Sequence, residues 1–232
     1  VKAMILAAGR GQRLRPLTDE IPKPLIEVGE KPLIAWHLER LAAAGIQDVV
    51  INLGHLGEQI RTTLGDGRLF GVNITYSPEP PGALETGGGL LNALPLLGDE
   101  AFLVVNADVW TDLDFAVLPA RLSADAHLVL VDNPAHHPEG DFALTGNQVT
   151  NAGKNRLTYS GIAVLGPGLF RGATPGRFSY VPLLRSAAER GRVTGQRHSG
   201  RWFDAGTAER LEALRIALDR WLWTGEDPNR PA

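Results

Sequence analysis

Four short strand-like segments, separated by segments with helical spacing, constrain this chain more than any other feature of it. They are the apolar runs Ala3 to Ala8, Val49 to Ile51 and Ala101 to Val105, and Val72 to Tyr76. Runs this short read as buried strands, the first leaving the sheet through Gly9 and Gly11. Between them, Lys31 to Ala44 carries Leu33, Ile34, Trp36, Leu38 and Leu41 at helical spacing. Pro32 suits its first turn, and Gly45 stands just past its end. His55 to Leu64, closed by Gly65, reads as a second helix, and Gly87 to Leu97 as a third. This alternation predicts a Rossmann-like α/β fold, a mixed, mainly parallel sheet flanked by helices with right-handed crossovers. Ligands of such sheets bind beyond the carboxyl ends of the strands. The Gly9–Arg15 loop and Asn106-Ala107-Asp108 both follow strands, so both belong to that edge.

The second half changes character. Ala126 to Val131 and Leu157 to Leu165 read as strands, and Asp141–Leu144 with Gln148–Thr150 as a hairpin about Thr145-Gly146-Asn147. Val181 to Arg190 reads as a helix. Thr207 is placed to cap a long amphipathic helix with Leu211, Leu214, Leu218 and Trp221 on one stripe, which suits core packing or a dimer seam. The expected division is one domain over 1–232, with subdomains 1–110 and 111–223 facing one cleft and a flexible tail over 224–232.

Composition narrows the function classes. At 232 residues, with 44% hydrophobic and 21% charged residues, the chain is long enough for one large α/β domain. A net charge of −3 gives no reason to expect a nucleic-acid partner. No apolar stretch approaches the roughly 20 residues that span a bilayer, so no membrane partner is expected. Cysteine is absent, which excludes disulfides, thiolate metal sites and a cysteine nucleophile. The first strand begins almost at once, so no leader is expected and a cytoplasmic location fits.

The residues at the strand ends suit phosphate. Gly9 and Gly11 allow close backbone approach with exposed N–H groups, and Arg10, Arg13 and Arg15 add cationic forks. A Walker loop is excluded, because the spacing and the terminal Lys-Ser/Thr are missing. A dinucleotide fingerprint is excluded too, since Leu14 stands where its third glycine would be. Asp108 puts a carboxylate at the ligand edge. A second stands in Trp202-Phe203-Asp204-Ala205-Gly206-Thr207, where Asp204 suits either a metal or an Asx turn before the helix. Lys23 is framed by Pro22 and Pro24, which pre-aim its side chain. In Leu84-Glu85-Thr86-Gly87-Gly88-Gly89 three glycines open a helix with free N–H groups. His136 and His137 are adjacent, so their side chains diverge, and they read as loop residues rather than metal ligands.

Leu6-Ala7-Ala8-Gly9-x-Gly11-x-Arg13-x-x-Pro16-Leu17-Thr18, with Pro22-Lys23-Pro24-Leu25 behind it, resembles the signature of the sugar-1-phosphate nucleotidyltransferase family. The likeness runs from residue 2 to about 215. It implies the nucleotide-diphospho-sugar transferase (glycosyltransferase-A-like) fold, with Mg²⁺ as cofactor on Asp108 and Asp204. It implies catalytic roles for Arg13, Lys23, Asp108 and Asp204. Nucleotide contacts then fall on Leu6, Ala8, Gly9, Gly11, Gln12, Arg13, Lys23, Leu84, Glu85, Thr86, Gly87 and Asn106, and sugar-phosphate contacts on Gly140, Asp141, Ser160 and Gly161.

The Glu-Thr-Gly-Gly-Gly form, Asp132 to His137, Gly140-Asp141-Phe142 and Tyr159-Ser160-Gly161 resemble the branch of that family that uridylylates N-acetylmuramate 1-phosphate. The resemblance therefore implies UTP and N-acetylmuramate α-1-phosphate as partners, in bacterial cell-wall sugar recycling, with a monomer or homodimer as the assembly. Guanylyl transfer to mannose 1-phosphate, thymidylyl transfer to glucose 1-phosphate and a silent nucleotide-sugar-binding subunit stand as alternatives. The chain departs from the family at one place. A Glu-Lys pair that holds the sugar phosphate in many members is missing from Asn151 to Arg156, where Lys154 and Arg156 are expected to meet the acceptor instead. A phosphate monoester has a second pKa near ~6, so no general base is needed, in keeping with the lack of any Ser-His-Asp constellation.

Overall fold

Parallel strands need crossovers of a dozen or more residues, and the first half of the chain supplies them. The computed structural model describes residues 1–82 and 84–224. Strands β1 (Ala3–Leu6), β4 (Asp48–Leu53), β5 (Asn73–Pro78) and β6 (Phe102–Asn106) lie parallel. They are linked through α2 (Leu33–Ala43), α3 (Gly57–Leu64) and α4 (Glu85–Leu97). The first link also holds the short α1 (Leu17–Glu20) and a two-strand hairpin, β2 (Glu27–Val28) with β3 (Lys31–Pro32).

The second half contributes β7 (Val109–Thr111), β8 (Ala126–Val131), β9 (Ala143–Thr145), β10 (Gln148–Thr150) and β11 (Thr158–Leu165). After these come α5 (Val181–Glu189), β12 (Val193–Arg197), β13 (Trp202–Asp204) and α6 (Ala208–Thr224). One sheet joins the halves in the order β5-β4-β1-β6-β11-β8-β12-β10-β9, because β11 runs antiparallel against β6. The mixed, mainly parallel sheet flanked by helices is thus as expected.

Alternation along β1 explains the layers. Ala3 and Ile5 join Ile34, Leu38 and Leu41 of α2 on one face, whereas Met4 joins Leu90, Ala93 and Leu97 of α4 on the other. The stripe of α6 packs as core: Leu211, Leu214 and Leu218 are buried with Trp36 and Trp110, and the Trp221 ring stacks on Trp110 at 5.3 Å. Thr207 accepts from the backbone N–H of Arg210 at 3.4 Å, a long capping bond.

Several boundaries differ from expectation. Lys31 and Pro32 pair with Val28 and Glu27, so α2 begins at Leu33 with Pro32 at its cap. Helix α3 begins at Gly57 rather than His55, and α4 at Glu85 rather than Gly87. Strands β7 and β12 carry no periodic signal: Gly195 and polar Thr194, Gln196 and Arg197 leave Val193 as the one apolar residue of β12. Neighbours β8 and β10 make it a strand. The tail expected over 224–232 lies outside the described residues apart from Thr224, which ends α6.

Candidate active site

The sheet order dictates where a ligand can enter. Strand β1 leads through α2 to β4 on one side, whereas its neighbour β6 leads on to β8 on the other, so the connections leaving this adjacent pair depart in opposite directions and open a crevice at their carboxyl ends. Leu6 and Asn106 are paired there, as the last residues of β1 and β6. A cleft of about 510 Å³ opens at this point, between the Gly9–Arg13 loop, Lys23, Glu85–Thr86 and Asn106–Asp108.

The glycine loop is held by its own sequence. Gly11 adopts φ 65°, and a Cβ there would press on Thr18. The Thr18 hydroxyl donates to the Gly11 carbonyl at 2.8 Å, and His55 Nε2 donates to the Thr18 carbonyl at 2.7 Å. The three arginines divide. Arg15 donates to Asp19 at 2.9 Å, and Arg10 lies 3.7 Å from the same carboxylate, so both are engaged outside the cleft. Arg13 has no partner among the described residues and lines the cleft. A free guanidinium beside a turn of backbone N–H groups has the chemistry that suits an oxyanion.

The two aspartates come together through a small second sheet. Strand β13 runs antiparallel to β7 with Asp204 opposite Val109, and the Ala205 N–H donates to the Asp108 carbonyl at 2.8 Å. Asp108 Oδ2 accepts from Lys23 Nζ at 2.7 Å. Asp204 Oδ1 accepts from the Gly206 N–H at 2.9 Å and lies 3.1 Å from Arg210 Nε, while Oδ2 lies 2.8 Å from His136 Nε2. The Asx turn expected of Asp204 is thus made by Oδ1, while Oδ2 meets His136. The contact with His136 comes from the 132–141 loop and carries no signal in the sequence, where His136 stands 68 positions from Asp204.

Two carboxylates backed by cations suit a hard divalent ion that completes its shell with water and substrate phosphates. Among the described residues no group of three or more His, Cys, Asp or Glu is placed to hold a metal ion. His37 supports the Asp108 strand from beneath. Its Nε2 donates to the Val109 carbonyl at 2.7 Å, and burial pushes its pKa down to about 4, so it stays neutral.

The floor opposite Lys23 is a polar relay. Asn52 Oδ1 accepts from the Ala7 N–H at 2.6 Å, and its Nδ2 donates to Glu79 Oε1 at 2.6 Å. Glu79 Oε2 in turn accepts from the Leu84 N–H at 2.9 Å. Asn52 and Glu79 line the cleft and carry no motif in the sequence. Asn106 Oδ1 is buried with no partner among the described residues, an acceptor left for a ligand donor.

The glycine triplet does something other than expected. The Phe178 carbonyl accepts from the N–H groups of Gly87 (2.8 Å) and Gly88 (3.1 Å), so these are not free. A Cβ on Gly87 would collide with Phe178, one on Gly88 with the Gly176 carbonyl and one on Gly89 with Glu79. The triplet admits a protein segment. Of this stretch Glu85 and Thr86 line the cleft, and Gly87 does not. Glu85 sits at φ 58° and lies 2.9 Å from Arg177.

The residues expected to meet the sugar phosphate are dispersed. Gly161 (φ 81°) leaves room for Asn106, so it borders the cleft through that side chain. Ser160 is buried and donates to the Val129 carbonyl at 2.8 Å. Asp141 accepts from the Tyr159 N–H at 2.8 Å and pairs with His137, and Gly140 packs on the Arg156 carbonyl. Lys154 is exposed, Arg156 lies 3.6 Å from Glu139, and neither lines the cleft.

Residues 2–144 match the nucleotidyl transferase family. The chain is 50% identical to an N-acetylmuramate alpha-1-phosphate uridylyltransferase of Neisseria meningitidis serogroup B, over 95% of this chain and 100% of that one. It is 35% identical to the enzyme of the same name from Caulobacter vibrioides, over 93% and 96% of the two chains. A crystal structure assigned as a glucose-1-phosphate thymidylyltransferase of Bacillus anthracis, in complex with sucrose, superposes with a TM-score of 0.82. It covers 94% of each chain at 24% identity and shows the shared fold.

Proposed function

Because this chain belongs to the nucleotidyl transferase family, we propose that it joins UTP to N-acetylmuramate α-1-phosphate, giving UDP-N-acetylmuramate and pyrophosphate. The observation that carries this reading is the meeting of Lys23 and Asp108 in the cleft lined by a free Arg13, with Asp204 on the strand paired to Val109 next to them.

In the proposed step an oxygen of the sugar phosphate attacks the α-phosphorus of UTP, and the bond to pyrophosphate breaks. The nucleophile is already largely dianionic near neutral pH, with a second pKa near ~6, so the protein's task is positioning and charge neutralisation. Arg13 and the N–H groups of the Gly9–Gly11 turn receive the β- and γ-phosphates. Lys23 stands on the α side, its ammonium held at 2.7 Å from Asp108. Asp108 and Asp204 would hold Mg²⁺, which when bound supplies charge neutralisation for the α-phosphate and the leaving group. Backbone around Ala8 and Gly9 faces the base, with Gln12, Glu85 and Thr86 at the rim; the Leu84 backbone, expected to join them, is engaged with Glu79 and Phe178 instead. Leu6 and Asn106 form the floor. The acceptor side is the 132–141 loop with Gly140, Asp141 and Gly161.

Pyrophosphate release across the four nucleoside triphosphates and a panel of sugar 1-phosphates tests the proposal. UTP with N-acetylmuramate α-1-phosphate should exceed every other pair, with kcat/KM at least about a hundredfold above GTP. Equal release from GTP would replace the uridylyl reading with a guanylyl one. Strict dependence on Mg²⁺ in the same assay tests the cofactor. Work in bacterial cell-wall recycling and a cytoplasmic site of action follow from this substrate; among the described residues no helix is long and apolar enough to cross a membrane.

A further inference from the structure

The two oxygens of Asp204 are held by different kinds of partner. Those on Oδ1, the Gly206 N–H and Arg210, belong to the same β13–α6 corner as Asp204 itself. The partner on Oδ2, His136, comes from the 132–141 loop on the acceptor side, and its side chain is 41% exposed. A nitrogen and a carboxylate oxygen 2.8 Å apart share a hydrogen, so Nε2 carries it, which a neutral imidazole can do.

The loop that carries His136 is anchored at its base. Asn133 donates to the carbonyls of Pro138 and Arg156, both at 2.9 Å, and the Asp141 N–H donates to the Leu157 carbonyl at 2.8 Å. Among the described residues, the contacts leaving its tip are His136 to Asp204 and the 3.6 Å pair between the exposed Glu139 and Arg156.

We propose that His136 is a resident occupant of the Asp204 oxygen that faces the cation, exchanged for the cation on loading, so that metal arrival frees the tip of the acceptor loop. This rests on the reading that Asp108 and Asp204 hold the divalent ion. Oδ1 stays on its corner through the exchange. Oδ2 trades one imidazole N–H for the ion, and the freed imidazole remains on the acceptor side with a donor to offer. Loading of the cation and readiness for the acceptor are thereby linked.

Mn²⁺ binding to the full chain, measured by electron paramagnetic resonance without nucleotide, tests the exchange. His136→Ala removes the competitor and should tighten Mn²⁺ binding about threefold to tenfold, the size of one net hydrogen bond. Asp204→Asn should weaken it. Unchanged binding in Asp204→Asn would remove the underlying metal reading. Weakened binding in Asp204→Asn with unchanged or weaker binding in His136→Ala would overturn the exchange alone, the weaker case making His136 a ligand. Titrating the ¹⁵N-labelled wild type with Mg²⁺ provides a second readout. The His136 ring signal, identified by its loss in His136→Ala, should shift as Asp204 is vacated. A ring signal indifferent to saturating Mg²⁺ would overturn the proposal as well.

Discussion

Asp108 and Asp204 stand side by side yet are supported from opposite kinds of structure. Asp108 follows β6 directly, its side chain is 39% exposed, and its charge partner Lys23 lies on the loop after β1. Asp204 is 19% exposed and draws its partners from β13, α6 and the 132–141 loop. The Asp108 side is thus assembled from loops that follow neighbouring parallel strands. The Asp204 side is assembled from segments far apart in sequence, which only the tertiary fold brings together. A site on the first plan tolerates change in the rest of the molecule. One on the second depends on how the halves meet.

The widest effect on activity should come from removing either carboxylate. Asp108→Asn and Asp204→Asn should each lower kcat by about 10²-fold or more, as losing charge stabilisation worth ~3 kcal/mol would. Thermal melting separates them. Asp108→Asn takes the charge partner from one cation, Lys23, whereas Asp204→Asn disturbs three partners at once, Arg210, the Gly206 N–H and His136, and should lower Tm by a few degrees more. Equal melting of the two variants would break the comparison.

The arginines sharpen it next. Arg13→Ala should lower kcat/KM for the nucleotide about 10- to 100-fold, the range of a lost charge-assisted hydrogen bond, while Arg15→Ala, already paired with Asp19, should stay within about twofold. Arg13→Lys should recover little, since a point charge does not replace a planar fork.

The same asymmetry decides what the sequence reveals. Strands β1, β4 and β6 are legible because their centres are apolar runs buried on both faces, while the edge strand β5 alternates, and the loops after them inherit their positions from the sheet. That is how Gly11, Arg13, Lys23 and Asp108 could be placed beforehand. The relay of Asn52 and Glu79 was not legible, because a polar residue at a strand end looks the same whether it faces water or a neighbouring N–H. His136 was passed over for a related reason: its contact depends on the meeting of two segments, and adjacency to His137 carries no trace of it. The Gly87–Gly89 triplet was read as serving a ligand because glycine signals close approach without saying to what. The structure brings it against residues 176–178.

A smaller effect, on stability, is expected from His37 under Asp108. Its pKa falls from 6.5 to about 4 on folding because burial disfavours the charged ring. The folded state therefore binds fewer protons than the unfolded chain between those values. The contribution is fully present above pH 6.5 and is lost as pH falls toward 4, about 3 kcal/mol in all at most. His37→Gln keeps a donor for the Val109 carbonyl and removes the titration. Its melting temperature should fall less between pH 7 and pH 4.5 than that of the wild type, and parallel pH profiles would show that the ring does not titrate with folding.

The smallest effect is expected at Lys154 and Arg156, the two cations that stand where many family members carry a Glu-Lys pair. A lactyl carboxylate on the acceptor needs a cation or several N–H donors, which makes this loop attractive from sequence alone. The structure separates them from the cleft: Lys154 is exposed, and Arg156 turns toward Glu139, itself 81% exposed. Exposed pairs of this kind contribute little, so replacing both residues by alanine should change KM for N-acetylmuramate 1-phosphate by less than about twofold. The Arg156 carbonyl that holds Asn133 is backbone and survives the substitution. A tenfold rise in KM for the muramate substrate, without a matching rise for N-acetylglucosamine 1-phosphate, would mean that the loop does reach the carboxylate. The acceptor half would then have to close over its substrate by several ångströms, and the contrast between a preformed nucleotide side and a dispersed acceptor side would describe only the unliganded protein.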